Sequence, residues 1–165
     1  MGRLTPVYNT NRMIREYAEH FYLPALQHWG RLSRSGFQAA RALARWKERV
    51  RKAWSGVRVL GVQAEDQREM RVGEEFPVRC TVALNGLEPQ DVLLELYYGP
   101  LDPFGGLGEA SRRALRHDSA REDGAHDFLG EVPCERSGKV GYAVRVLPHH
   151  PNLAGPWDLG LVAWS

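Results

Sequence analysis

Residues 75–99 read EFPVRCTVALNGLEPQDVLLELYYG, and the spacing of their apolar side chains decides the fold. Val78, Cys80, Val82 and Leu84 occupy every second position, and Val92, Leu94, Leu96 and Tyr98 do so again, with partly polar residues between. A period of two puts each set on one face of a strand, and one apolar face per strand suits an antiparallel sheet covering a core. Between the runs, LNGLEP at 84–89 supplies an Asn-Gly pair and a proline, which turn the chain.

Similar runs lie outward from this pair: VRVLGVQAE from 57, AHDFLGEVPC from 125, GKVGYAVRVLP from 138 and DLGLVAWS from 158. That makes six candidate strands, punctuated by RSG at 136–138 and the proline-rich PHHPNLAGP at 148–156, with no helix between them. Short strands of this kind predict an antiparallel β-sandwich. The stretch 100–124 is too long for a hairpin turn and reads as a functional excursion or a partly ordered loop.

Upstream of residue 57 the period changes. Met13, Ile14, Tyr17, Ala18 and Phe21 fall on one helix face, with Thr10 as the expected N-cap. Pro24 should end or kink this helix near Leu23, because it lacks an amide donor and crowds the preceding turn. Ser33, Ser35 and Gly36 mark a loop. Phe37, Ala40, Leu43, Trp46, Val50 and Trp54 then predict a second helix whose other positions are basic: Arg41, Arg45, Lys47, Arg49, Arg51 and Lys52. The expected fold class is therefore α+β, with a helical segment of two helices over 1–56 and an antiparallel β-sandwich of about six or more strands over 57–165.

The chain has 165 residues, enough for one domain or a domain with an appendage, and it needs no staples to fold. No apolar run approaches a membrane span. The opening MGRLTPVYNT lacks the apolar core of a secretory signal, and Pro6 stands where a myristoylation signal requires Ser or Thr. Cys80 and Cys134 are too few and too far apart for a disulfide framework or a zinc knuckle, and are expected as buried thiols in a reducing cytoplasm. The net charge of +2 conceals an asymmetry: residues 1–58 carry 12 basic and 3 acidic side chains, whereas 59–165 carry 10 and 17.

Several short motifs invite a chemical reading. His149 and His150 lie between Pro148 and Pro151, but adjacent residues of a strand face opposite ways, so the pair reads as a strand terminus and not as metal ligands. RHDS at 116–119 and AHDF at 125–128 each set a His beside an Asp. Adjacency is not triad geometry, and no serine sits in a Gly-x-Ser-x-Gly elbow. Ser137-Gly138-Lys139 fails as a phosphate loop because Pro133 and Val140 stand where Gly and Ser or Thr are required. GGLG at 105–108 lacks the strand-to-helix setting of a dinucleotide site. The basic helix, with interleaved tryptophans, could grip phosphates or an anionic surface; the plainer reading pairs it with acidic partners. No catalytic, cofactor-binding or metal-ligating residue is assigned.

Two longer stretches carry a resemblance. LTPVYNTNRMIREYAEHFYLPA at 4–25 and FLGEVPCERSGKVGYAVRVLPHHPNLAGPWDLGLVAW at 128–164 resemble the C-terminal region of the short bacterial and archaeal α-glucan (glycogen or maltodextrin) phosphorylases. Tyr8, Asn9, Thr10, Arg12, Met13, Glu16, Tyr17, Tyr22 and Pro24 carry the first motif. Pro133, Cys134, Ser137, Gly138, Gly141, Tyr142, Arg145, Pro148, His150 and Pro151 carry the second. DVLLELYYGPLD and the Gly-rich loop after it also fit; the likeness is weakest over 30–75.

The resemblance implies phosphorolysis, in which inorganic phosphate cleaves the terminal α-1,4 bond of a glucan and releases glucose 1-phosphate with help from a pyridoxal phosphate Schiff base. The family's cofactor lysine lies upstream of the YNTNRMIREY motif, so no catalytic residue transfers to this chain, and none of Lys47, Lys52 and Lys139 sits in its setting. The expected molecule is a C-terminal piece of a phosphorylase, a gene fragment or an excised segment, cytoplasmic and inactive alone. Its helices would pack on upstream catalytic domains and leave Met13, Tyr17 and Phe21 partly exposed here. The alternative is a stand-alone carbohydrate-binding module that stacks α-glucan on Tyr97, Tyr98, Phe104 or Trp157; membrane and nucleic-acid partners are not expected.

Overall fold

The computed structural model describes residues 9–64, 71–135 and 137–165. The opening of the first family motif, Leu4 to Tyr8, and Arg136 of the RSG turn lie outside them. The chain divides into two compact units, residues 1–46 and 47–165.

The first unit is helical. Helix α1, Thr10–Tyr17, is capped by Asn9 and not by the expected Thr10: Asn9 Oδ1 accepts a hydrogen bond from the Arg12 amide at 2.7 Å. Asn9 has the extended backbone that an N-cap needs, whereas Thr10 is already helical. Arg12 and Glu16, one turn apart, pair at 2.8 Å.

Pro24 does not stop the chain. A π-helical turn, Ala18–Tyr22, precedes it, with the Leu23 amide donating to the Ala18 carbonyl, and helix α2 runs on from Leu23 to Ala53. Widening the helix before a proline absorbs the residue whose donor is missing. The expected loop at Ser33–Gly36 appears as a break within α2. Arg34 is extended, and Ser35, Gly36 and Phe37 have φ of 52°, 64° and 63°. Glycine takes this left-handed conformation freely; for Phe37 it costs about 1–2 kcal/mol.

The second unit begins with the last turns of α2 and continues as a seven-stranded sheet. Its strands are β1 Arg58–Ala64, β2 Glu75–Ala83, β3 Val92–Pro100, β4 Ser111–Ala120, β5 Ala125–Pro133, β6 Val140–Pro148 and β7 Ala163–Trp164. They pair antiparallel throughout in the order β1-β2-β5-β4-β3-β6-β7. Val78, Cys80 and Val82 of β2, Leu94, Leu96 and Tyr98 of β3, Phe128 and Val132 of β5, and Val144 and Val146 of β6 are buried. The α+β class and the two alternating sets that opened the sequence are thus as expected.

Stacked sheets would break the ladder, but here it is continuous, because β4 serves two neighbours. Ser111–Leu115 pair with β3 and Arg116–Ala120 with β5, across an irregularity between His117 and Ser119. A strand that changes partners at a bulge turns the corner of a curved sheet. This strand occupies part of the stretch 100–124 that reads as a loop. Only Leu115 of its ten residues is buried, so it has no apolar alternation to reveal it. Strand β7 is shorter than the run from 158 suggests, since residues 155–160 form turns closed by Gly155 and Trp157 carbonyls.

Asn85 and Gly86, with φ of 51° and 81°, form the expected turn, closed by the Leu87 amide donating to the Leu84 carbonyl. Asn85 Nδ2 also donates to the Ala53 carbonyl at 2.8 Å, satisfying the end of α2.

Candidate functional site

The His-Asp motifs do come together, though not as a catalytic triad. β4 and β5 bring His117 Nε2 within 3.2 Å of His126 Nδ1. Ser119 donates to Asp118 at 3.1 Å and not to a histidine. Asp127 is buried and engaged: it accepts from Thr81 Oγ1 at 2.7 Å and from Arg79 at 3.2 Å, with Arg121 at 3.9 Å. The Thr81 hydroxyl above all, then the neighbouring guanidinium groups, holds its carboxyl below the usual range. Burial, reinforced by the Asp127 charge, pushes the Cys80 thiol up to about 12, so it stays protonated and unreactive at neutral pH. Cys134 is half-buried and not enclosed as expected, because it lies just past the end of β5.

His149 and His150 follow the last residue of β6 directly. The His149 amide donates to the Asp91 carbonyl at 2.8 Å, and His150 Nδ1 accepts from the Asn152 amide at 3.1 Å. They fasten the strand end to its surroundings. Among the described residues, no group of three or more His, Cys, Asp and Glu could hold a metal ion, and no helix is long and apolar enough to cross a membrane.

Ser137, Gly138 and Lys139 line a cavity of about 440 Å³ together with Gly99, Pro100, Glu109 and Ser111. Among its described residues, two acidic side chains, Glu109 and Glu135, accompany one lysine, a balance that does not favour a phosphate. The basic end of α2 meets acidic partners, as its plainer reading holds. Lys47 pairs with Asp158 at 2.9 Å, Lys52 with Glu48 at 2.8 Å, and Arg49 grips both oxygens of buried Asp91 at 2.8 and 2.9 Å. Asp91 also accepts from the Glu88 amide, joining α2 to the start of β3.

The most developed polar cluster escapes the sequence reading, in which Arg145 is only a motif letter. Arg145 lies on β6 directly across from Glu95 on β3 and Trp164 on β7. Its Nε and Nη2 donate to Glu95 Oε2 at 2.6 and 2.5 Å, and both side chains are largely buried. The guanidinium carbon sits 4.4 Å from the Trp157 ring centre, 4.6 Å from Tyr97 and 5.8 Å from Trp164. A guanidinium hydrates weakly and stacks on aromatic faces, which makes arginine the suitable cation here. The signal was present as an arginine inside an apolar strand, but its carboxylate partner lies 50 residues upstream and its rings come from three separate segments of the chain.

The candidates Tyr97, Tyr98, Phe104 and Trp157 do not form one row. Tyr98 is buried, and Phe104 stands 97% exposed on the 100–108 loop, whose Asp102 accepts from the Phe104 and Gly106 amides. Only Tyr97 and Trp157 belong to the Arg145 cluster. In the first unit, Met13, Tyr17 and Phe21 are exposed as expected, and Ile14, Tyr22, Leu23, Leu26 and Trp29 extend the apolar face.

Fold and site together define a helix-fronted antiparallel β domain whose buried charges hold strands to one another. The chain belongs to the glycogen phosphorylase C-terminal domain family, which matches residues 54–165. It is 35% identical to the glycogen phosphorylase of Mycobacterium tuberculosis (strain H37Rv) over 160 residues, 96% of this chain and 18% of that protein. It is 31% identical to the maltodextrin phosphorylase of Thermococcus litoralis over 167 residues, 98% of this chain and 19% of that protein. The chain therefore spans about a fifth of the length of these relatives.

Pyridoxal phosphate, which the resemblance implies for the whole enzyme, does not fit the lysines here. Lys47 and Lys52 are committed to carboxylates, and Lys139 is exposed on a turn. No step is assigned to that group in this chain.

Proposed function

We propose that the chain acts as the C-terminal domain of a cytoplasmic α-glucan phosphorylase, an enzyme that uses inorganic phosphate to release glucose 1-phosphate from α-1,4-glucans. The catalytic cleft and cofactor belong to an upstream region. Residues 1–56 dock on it, and residues 57–165 form the terminal antiparallel β domain. The observation that carries this reading is the apolar helical face running from Met13 to Trp29, with Phe21, Leu26 and Trp29 between 61 and 64% exposed. So many large apolar side chains in one open stripe call for a partner surface. The relatives' length supplies a natural one, the upstream phosphorylase chain.

The test mixes the purified chain with the upstream region of a homologous phosphorylase lacking its own C-terminal fifth. Glucose 1-phosphate release from maltodextrin and phosphate is expected from the mixture and not from the chain alone. Release by the chain alone, or no association between the two parts, would overturn the reading.

A further inference from the structure

Large aromatic side chains are usually covered, yet Trp157 and Trp164 keep 55% and 51% of their surface open while being held firmly from beneath. Trp157 lies in the turn between β6 and β7, and Trp164 in β7. Both rest on Arg145, which Glu95 fixes, and Tyr97 completes the group with its ring 5.6 Å from Trp164 at an interplanar angle of 58°. The strand register, the ion pair and the cation–π contacts set the rings in place before any ligand arrives, and preorganisation of this kind lowers the entropic cost of binding.

We propose that Tyr97, Trp157 and Trp164 form a stacking platform for an α-1,4-glucan chain, a proposal that rests on the phosphorylase reading for the choice of glucan. A pyranose ring carries C–H groups on its faces and hydroxyls around its rim. The faces stack on aromatic rings, and the rim needs polar partners. Arg112, directly across from Tyr97 on β4, exposed and 3.8 Å from Glu95, offers the rim such a partner. The tilt between Tyr97 and Trp164 also discriminates. An α-1,4-linked chain curves as a helix and presents successive rings at an angle, whereas an extended β-1,4 ribbon calls for coplanar aromatic rows.

The test is native electrophoresis of the 165-residue chain in gels containing glycogen, with calorimetric titration of maltoheptaose and of cellohexaose as the β-linked control. Retardation by glycogen and binding of maltoheptaose alone are expected. Trp157→Ala and Trp164→Ala should each weaken binding about tenfold or more, with unchanged far-ultraviolet circular dichroism. Trp157 lies in a turn outside the sheet, so its substitution reports even where Trp164→Ala lowers stability. Absence of retardation, retardation unchanged by both substitutions, or equal affinity for cellohexaose would overturn the platform. So would loss of association with the upstream catalytic region in these variants without any glucan binding, which would mark the rings as an interface within the enzyme. A chain that restores phosphorolysis but ignores glucan would sink only the platform, leaving the phosphorylase role intact.

Discussion

At the scale of single residues, the titratable groups of the sheet set how stability responds to acid. Burial first, then the charge of His117, holds His126 below its ordinary value of 6.5. Burial likewise lowers His150, against the pull of Asp91 and with the help of His149. Each imidazole binds protons more readily in the unfolded chain, so stability rises with pH across this range. Their contribution is complete above 6.5 and is lost as pH falls below it. Asp127 has the same sign at lower pH, being depressed from 3.8, and stays charged and bonded through that window. Thermal melts followed by circular dichroism should show a falling midpoint between about pH 7.5 and 5.5, and His126→Asn with His150→Asn should flatten the slope. An unchanged slope in the double variant would refute the assignment. The Arg145–Glu95 pair follows different logic. Removing one partner of a buried pair leaves a desolvated charge and costs about 3–5 kcal/mol, so the cluster is architecture whatever it binds.

At the scale of elements, close backbone crossings matter more than propensity. Gly99 is the last residue but one of β3, where the returning chain passes over it: a Cβ there would lie 2.7 Å from the Glu109 carbonyl oxygen and 3.2 Å from Ala110 Cα. Backbone cannot swing aside as a side chain can. Gly99→Ala is therefore expected to destabilise the domain by about 1–3 kcal/mol in urea denaturation. Gly61→Ala in β1, where nothing lies within 4 Å, should change stability by no more than about 0.5 kcal/mol. Equal effects at the two sites would contradict this account. The elements also show which signals a sequence carries. β2 and β3 were legible because each buries one complete alternating set. β4 was not, because a corner strand gives half its length to each neighbour and buries only Leu115. The π turn before Pro24 was hidden as well, since proline marks a disturbance without specifying how the backbone absorbs it.

At the scale of the molecule, the two units carry different kinds of surface. The β domain encloses its apolar sets, and the helical unit leaves a stripe open. Phe21→Glu and Leu26→Glu should accordingly leave the melting behaviour of the isolated chain within about 0.5 kcal/mol of the original, while abolishing capture by the upstream phosphorylase region. Loss of folding in these variants would mean that the stripe is needed within the chain itself. The sequence by itself determined the α+β class, the alternating strands, the Asn-Gly turn and the family, because periodicity and motifs are local and survive in one dimension. Only the tertiary structure decided that β4 joins the strands into one ladder, that His117 meets His126, and that Arg145 gathers Glu95, Tyr97, Trp157 and Trp164. Arg145 and Glu95 lie 50 residues apart, and even His117 and His126, nine residues apart, meet through the register of β4 and β5, which no local pattern encodes.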